Sequence, residues 1–294
     1  MIAHVAQADE QRGRVVLWLG GGPGDPHDTA VEAAVKLAQA FRAEIDSLFI
    51  ADDQLFDLAD LPFAREVSMS GRQMRSFSSE ALAREIQANA SAQQRLVQAR
   101  AAAAAIVAHA RHMRADPVGA LALACTENGP WNVVTVGSAI RSTDGAKLGG
   151  AGFAGLFDAV QATTGIVVTG PNATRTGGPV IAVVEEIERL APMMRAAERI
   201  GKTTGGDARL WLLDHDQGRL EWIEGQIRLA LGATPAIKLE IVDMSRHSAL
   251  DVAAMMRRER AGFVITRFGG VLAPTDDDAA LFAEMLEGPL FLVR

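Results

Sequence analysis

The stretch Arg14-Val15-Val16-Leu17-Trp18-Leu19, closed by Gly20-Gly21-Gly22, sets the fold once it is laid beside Pro179-Val180-Ile181-Ala182-Val183-Val184. Each is a short apolar run with no alternation of polar residues, the pattern of a strand buried on both faces. Each is followed by a segment of helical period. In the first, Asp28 to Phe41, the residues Ala30, Ala33, Ala34, Leu37, Ala38 and Phe41 form one apolar stripe. In the second, Arg189 to Ile200, the stripe is Leu190, Met193, Met194, Ala197 and Ile200. Strands are expected next, over Glu44 to Ala51 and Ala208 to Leu213, ending in Asp52-Asp53 and Asp214.

The repeat continues outward. Asp116-Pro117 reads as an N-cap with proline at the first helical position, and Asn128-Gly129-Pro130 as the stop. The strand Trp131 to Val136 follows. In the second half Ser245 or Ser248 caps a helix to Arg258, and Gly262 to Thr266 forms the strand. Gly165 to Val168 and Pro289 to Val293 close the two halves. A long Ala-rich helix is expected over Ser78 to Ala105, with Gln217 to Leu231 as its shorter counterpart, and the repeat requires a strand near Ile106 to Met113. Residues 52 to 77 read as a polar inserted loop with short helical pieces. Alternating strands and helices imply parallel sheets with right-handed crossovers. The expected fold is α/β, two tandem doubly wound parallel five-stranded sheets. The expected division is a tail over 1–13, a first domain over 14–170, a linker over 171–178 and a second domain over 179–294.

Composition narrows the function. The chain has 294 residues, with 29 Lys and Arg against 36 Asp and Glu, a net charge of −7. That balance disfavours nucleic acid, which needs clustered cations, and the absence of tyrosine disfavours stacking platforms for bases. A single cysteine, Cys125, excludes a disulfide framework and reads as a small core residue. The longest apolar run, Ala101 to Ala108, falls well short of the roughly 20 residues of a membrane span. A soluble, cytoplasmic chain is the expectation.

Ligands of parallel α/β sheets bind beyond the carboxyl ends of the strands. Three stretches lie there in the first half. Gly20-Gly21-Gly22-Pro23-Gly24-Asp25 joins a strand to a helix, where glycines let a phosphate approach the backbone. It lacks the Gly-Lys-Ser/Thr of a P-loop and the spacing of a dinucleotide fingerprint, so a plain turn is the competing reading. Gly137 to Gly150 carries Ser138, Arg141, Ser142, Thr143 and Lys147, small hydroxyls and cations suited to a polyphosphate, against the reading of an exposed polar loop. Asp52-Asp53 could face a ribose or a metal, or merely solvate a strand end.

The order of elements, with a glycine loop after the fourth strand, resembles the universal stress protein family, present twice in tandem over roughly residues 14 to 293. The resemblance implies a Rossmann-like fold of the HUP type. In the ATP-binding branch of that family the fourth strand runs into Gly, two residues, Gly, nine residues, Gly, and Ser or Thr, and these embrace the phosphates. At that spacing this sequence has Gly137, Ile140, Gly150 and Ala151, so glycine is replaced once and the hydroxyl is replaced. The branch carries an acid just after the first strand, where this chain has Gly20 or Gly21. The second half has Arg267 in place of the first glycine and a shortened loop around Pro274 to Asp278, while Glu185 or Glu186 stands near the acidic position.

The six histidines make no zinc signature, no nucleophile elbow occurs, and Asp276-Asp277-Asp278 reads as the charged start of a helix. No catalytic residue and no metal ligand is assigned. The resemblance implies a non-catalytic regulatory or stress-response protein that works by ligand sensing or protein contact. Its partner is an unidentified protein or small molecule. It would be an intramolecular pseudo-dimer, with homodimerisation open and the final strands of the halves at the joint. At most one weak nucleotide site is expected, for ATP or another adenine nucleotide in the first domain, at Gly20, Gly21, Gly22, Asp52, Gly137, Ser138, Lys147 and Gly150. The alternative is an ATP-binding protein with slow hydrolysis in the first domain. A nicotinamide oxidoreductase fits poorly, because the first helix lacks the third glycine of the fingerprint.

Overall fold

The computed structural model describes residues 13–20, 27–67, 74–127, 131–137, 152–160, 163–231 and 237–294. The first half contains β1 (Arg14–Gly20), α1 (His27–Phe41), β2 (Glu44–Ala51), α2 (Asp53–Ala59), β3 (Arg65–Val67), β4 (Met74–Ser76), α3 (Ser79–Ala103), β5 (Ala108–Arg114), α4 (Pro117–Glu127), β6 (Asn132–Val136), α5 (Gly152–Ala159) and β7 (Thr163–Val168). The second contains β8 (Val180–Val184), a 3-10 turn (Ile187–Arg189), α6 (Leu190–Thr204), β9 (Ala208–Asp214), α7 (Gln217–Leu231), β10 (Lys238–Asp243), α8 (Ala249–Arg258), β11 (Phe263–Arg267), α9 (Asp276–Met285) and β12 (Leu290–Val293).

The halves are two five-stranded parallel sheets fused edge to edge into one ten-stranded sheet, in the order β10-β9-β8-β11-β12-β7-β6-β1-β2-β5. Among the described pairings of this sheet, the β7–β12 contact alone is antiparallel. The registers show a pseudo-two-fold axis. Val15 lies opposite Val133 and Ile45, and Val180 opposite Phe263 and Ala208, so these are equivalent positions. The same count makes Val167 equivalent to Phe291, and these two face each other at the joint. The expected meeting of the final strands is therefore observed.

Helices α1, α3, α6 and α7 bury their apolar stripes on one face of the sheet, and α4, α5, α8 and α9 on the other. With both faces covered, β6, β8 and β12 are buried along their whole length, and β8 and β12 accordingly read as unbroken apolar runs, while β6 buries Asn132 and Thr135 among its valines. The outer strands are different: β5 reads AHARHMR and β10 reads KLEIVD, with charges that blunt a sheet edge. The strand required near Ile106 to Met113 is β5, although no turn signal precedes it. Ala105 ends the long helix in a left-handed conformation (φ 55) that sequence patterns assign to glycine.

The inserted segment is more ordered than the loop expected there. Asp52 caps α2, whose Phe56 and Ala59 are buried, and β3 and β4 form a small antiparallel hairpin. Residues 169–178 are also packed. Asn172 donates to the Glu284 carbonyl at 2.7 Å, and Thr29 on α1 donates to the Ala173 carbonyl at 2.9 Å. No described helix is long and apolar enough to cross a membrane.

Candidate functional site

The parallel sheet places the ends of β6, β1 and β2 side by side, and thus brings Gly137, Gly20 and Asp52 to one margin. Gly20 ends β1 opposite Ile50, and Gly137 is buried just after β6. Asp52 faces its own helix: its carboxylate accepts the Gln54 N–H at 2.9 Å as an N-cap. Asp53 pairs with Arg114 at 2.6 Å, and that guanidinium lies 4.1 Å from the Phe56 ring centroid. Gly21, Gly22, Ser138, Lys147 and Gly150 lie outside the described residues, as do Ile140 and Ala151. The helix that follows that loop, α5, is described. Its Ala154 N–H donates at 2.9 Å to Asp276, which comes from the first turn of α9 in the other half. Gly152 (φ 63) allows this approach, since a Cβ there would stand 2.3 Å from an Asp276 oxygen. A helix amino end attracts an anion, and here the anion is a side chain of the same chain. Asp276 lies in the charged first turn of α9, as expected, and also serves a second helix. Thr275 caps α9, and Asp276 caps its neighbour α5.

The matching margin of the second half is better defined. By the strand registers, Glu185 and Arg267 are equivalent to Gly20 and Gly137. Glu185 is 8% exposed. Its Oε1 accepts the Val271 N–H at 2.8 Å, from the turn that follows β11. Gly270 is needed beside it, because a Cβ there would stand 2.4 Å from the same oxygen. Arg267 Nε lies 3.9 Å from the other Glu185 oxygen, too long for a hydrogen bond, while Arg267 Nη1 donates to Glu186 at 2.6 Å. Arg189 bonds Glu186 from the other side at 3.0 Å.

Burial pushes the Glu185 carboxyl above its ordinary range, and the Val271 N–H and Arg267 pull it back only in part. Burial also works against charge on Glu186, but Arg189 and Arg267 together outweigh it and hold that carboxyl below the ordinary range. The turn itself is closed by packing. Leu272 and Ala273 are buried, and the Phe268 ring sits 5.5 Å from Phe157 and 6.4 Å from Phe153 on α5.

Other sequence candidates are structural. His109 meets Glu44 at 3.2 Å and His112 meets Gln94 at 3.1 Å. Among the described residues no group of His, Cys, Asp and Glu could hold a metal ion. Cys125 is buried in the core. Sequence reading placed Glu185 near the acidic position but missed its burial in the turn. The available signal was an acid at the end of β8 facing Gly269-Gly270 at the end of the adjacent β11. Nothing local in the sequence marks the Asp276–Ala154 bond, which joins positions 122 apart.

This geometry, two wound α/β halves facing each other through their final strands, is the fold of universal stress proteins. A universal stress protein from Archaeoglobus fulgidus superposes with a TM-score of 0.56 at 15% identity, over 95% of this chain and 96% of that one. A putative universal stress protein from Pseudomonas aeruginosa gives 0.56 at 11% identity, over 98% and 94%. The cytoplasmic domain of a prokaryotic cation chloride cotransporter gives 0.51 at 10% identity, over 96% and 95%. No family model matches the sequence, and no curated protein matches it. At these identities the likeness establishes fold, the same frame serving proteins of different roles.

Proposed function

We propose that this chain is a non-catalytic regulatory protein of the universal-stress type, acting by ligand sensing or protein contact, with at most one weak nucleotide site. The observation that carries the reading is the Glu185 carboxylate on the Val271 amide. A backbone N–H bound by an internal, buried carboxylate is closed to a phosphate, and a second anion beside Glu185 and Glu186 would meet like charge. Asp276 on the amino end of α5 supports the same reading for the first half.

An adenine nucleotide, if held, is held by the first domain, at Gly20, Gly21, Gly22, Gly137, Ser138, Lys147 and Gly150, with Asp52 beside them as the cap of α2. Slow ATP hydrolysis there is the second reading, favoured by glycine rather than a charged side chain at Gly20 and Gly137. The two domains, 14–170 and 179–294, would act as an intramolecular pseudo-dimer. Equilibrium dialysis of the full chain against ATP tests this: no more than one weak site per chain is expected. Two tight sites would overturn it, and one tight site lost on Ile140→Glu would move the balance to the second reading.

A further inference from the structure

Helix α7 carries an apolar stripe on the side that faces away from the sheet. Leu220, Ile223 and Ile227 are buried on the side that packs on β9 and β10. On the opposite side Gly218, Trp222, Gly225 and Leu229 recur at spacings of four, three and four, within a wedge of roughly 60° at about 100° per residue. Trp222 is 59% exposed and Leu229 is 77% exposed. Among the described residues no atom lies within 4 Å of where a Gly225 Cβ would be, so no described contact explains a glycine in the middle of this helix. Glycine there weakens the helix, and a large exposed indole beside it adds unburied apolar surface.

We infer that this face is an interface with a second copy of the same chain, formed by two α7 helices packed antiparallel about a two-fold axis. The stripe is self-complementary. Trp222 of one copy lies over the space at Gly225 of the other, and Leu229 over Gly218, each contact occurring twice, as an isologous interface requires. The charges agree. Glu221 and Arg228 share one flank, seven residues apart, and antiparallel packing sets Glu221 of each copy beside Arg228 of the other. Their present partners, the exposed Gln217 and the half-buried Glu224, are neighbours on the same helix. A helix pair of this size sits at the weak end of specific interfaces, so exchange is fast and concentration sets the population. The inference does not depend on whether a nucleotide binds.

Sedimentation velocity of the full chain from about 5 to 500 µM tests it, a range suited to micromolar affinities. The expected result is a monomer at the low end that becomes a dimer toward the high end. Trp222→Glu weakens the dimer by at least about tenfold, the effect of losing a central aromatic anchor. Gly225→Leu does the same while its thermal unfolding midpoint holds or rises, which separates a lost interface from a damaged fold. Glu221→Arg weakens the dimer, and adding Arg228→Glu restores it. A chain that stays monomeric throughout overturns the inference. So does a dimer indifferent to both Trp222→Glu and Gly225→Leu.

Discussion

Asp46 on β2 and Arg209 on β9 occupy equivalent positions in the two halves, and their charges are opposite. Asp46 is 1% exposed and is held by Arg111 in a two-pronged contact, with Arg14 at 3.8 Å. Arg209 is held by Asp207 at 3.0 Å and by Glu259, which Lys238 also meets. The carboxyl ends differ in the same way, with Gly20 and Gly137 in one half and Glu185 and Arg267 in the other. The lesson is that the frame is set by apolar periodicity and tolerates either charge at a given place, provided the partner changes with it. The frame is shared between the halves, whereas the sites belong to each half separately.

The joint is where the comparison is easiest to break. Phe291 and Val167 are equivalent, face each other and are both buried, but the ring buries far more area. Phe291→Ala is expected to cost about 3–5 kcal/mol and Val167→Ala about 1–2 kcal/mol, read as shifts in a urea midpoint at unchanged slope. Equal costs would mean that the joint does not carry the sheet. The ion clusters come next. Asp46→Ala leaves two guanidinium groups without their buried acid and is expected to cost about 2 kcal/mol, allowing for their partial exposure. Arg209→Ala, whose acids keep Lys238 and solvent, is expected to cost about 1 kcal/mol.

The second-half turn sharpens the comparison further. Gly270→Ala drives a Cβ into the Glu185 carboxylate and is expected to cost about 1–2 kcal/mol. The double variant Glu185→Ala with Gly270→Ala recovers most of that loss, a coupling measured by a double-mutant cycle. Independent effects would show that the close approach does not matter. The smallest effect is in pH. The Glu185 carboxyl is raised in the fold by burial, so its protonated form is the one the fold prefers. Its stabilising contribution is complete below the ordinary carboxylate range and is lost as pH rises through the raised value. Relative to Glu185→Gln, the unaltered chain should therefore lose stability as pH rises from the ordinary carboxylate range through the raised value. A difference that is flat, or that grows with pH, would contradict the burial seen at this position.

Legibility followed the range of the interactions. The helices α1 and α6 were readable because an apolar stripe lies within one segment, and α8 because its cap does; Ser248 and Asp251 form a reciprocal box. The β3–β4 hairpin was not readable, because strands of three residues carry too little periodicity. The candidate site was half legible. Its place followed from strand order, and its poor fit to a phosphate loop followed from Ile140, Ala151 and Arg267. Asp52 was read as facing a ribose or a metal or as solvating a strand end, and its carboxylate caps α2 two residues away, a local role that any strand-end acid can take.

By itself the sequence determined a duplicated wound sheet with apolar opening strands, because burial on two faces leaves an unbroken apolar run in the local pattern. Only the tertiary structure decided that the halves meet as one sheet through Val167 and Phe291, that Asp276 caps a helix of the other half, and that Glu185 sits on the Val271 amide. Those contacts join residues far apart in the chain. Their energy depends on distance and burial, which no local run of residues encodes.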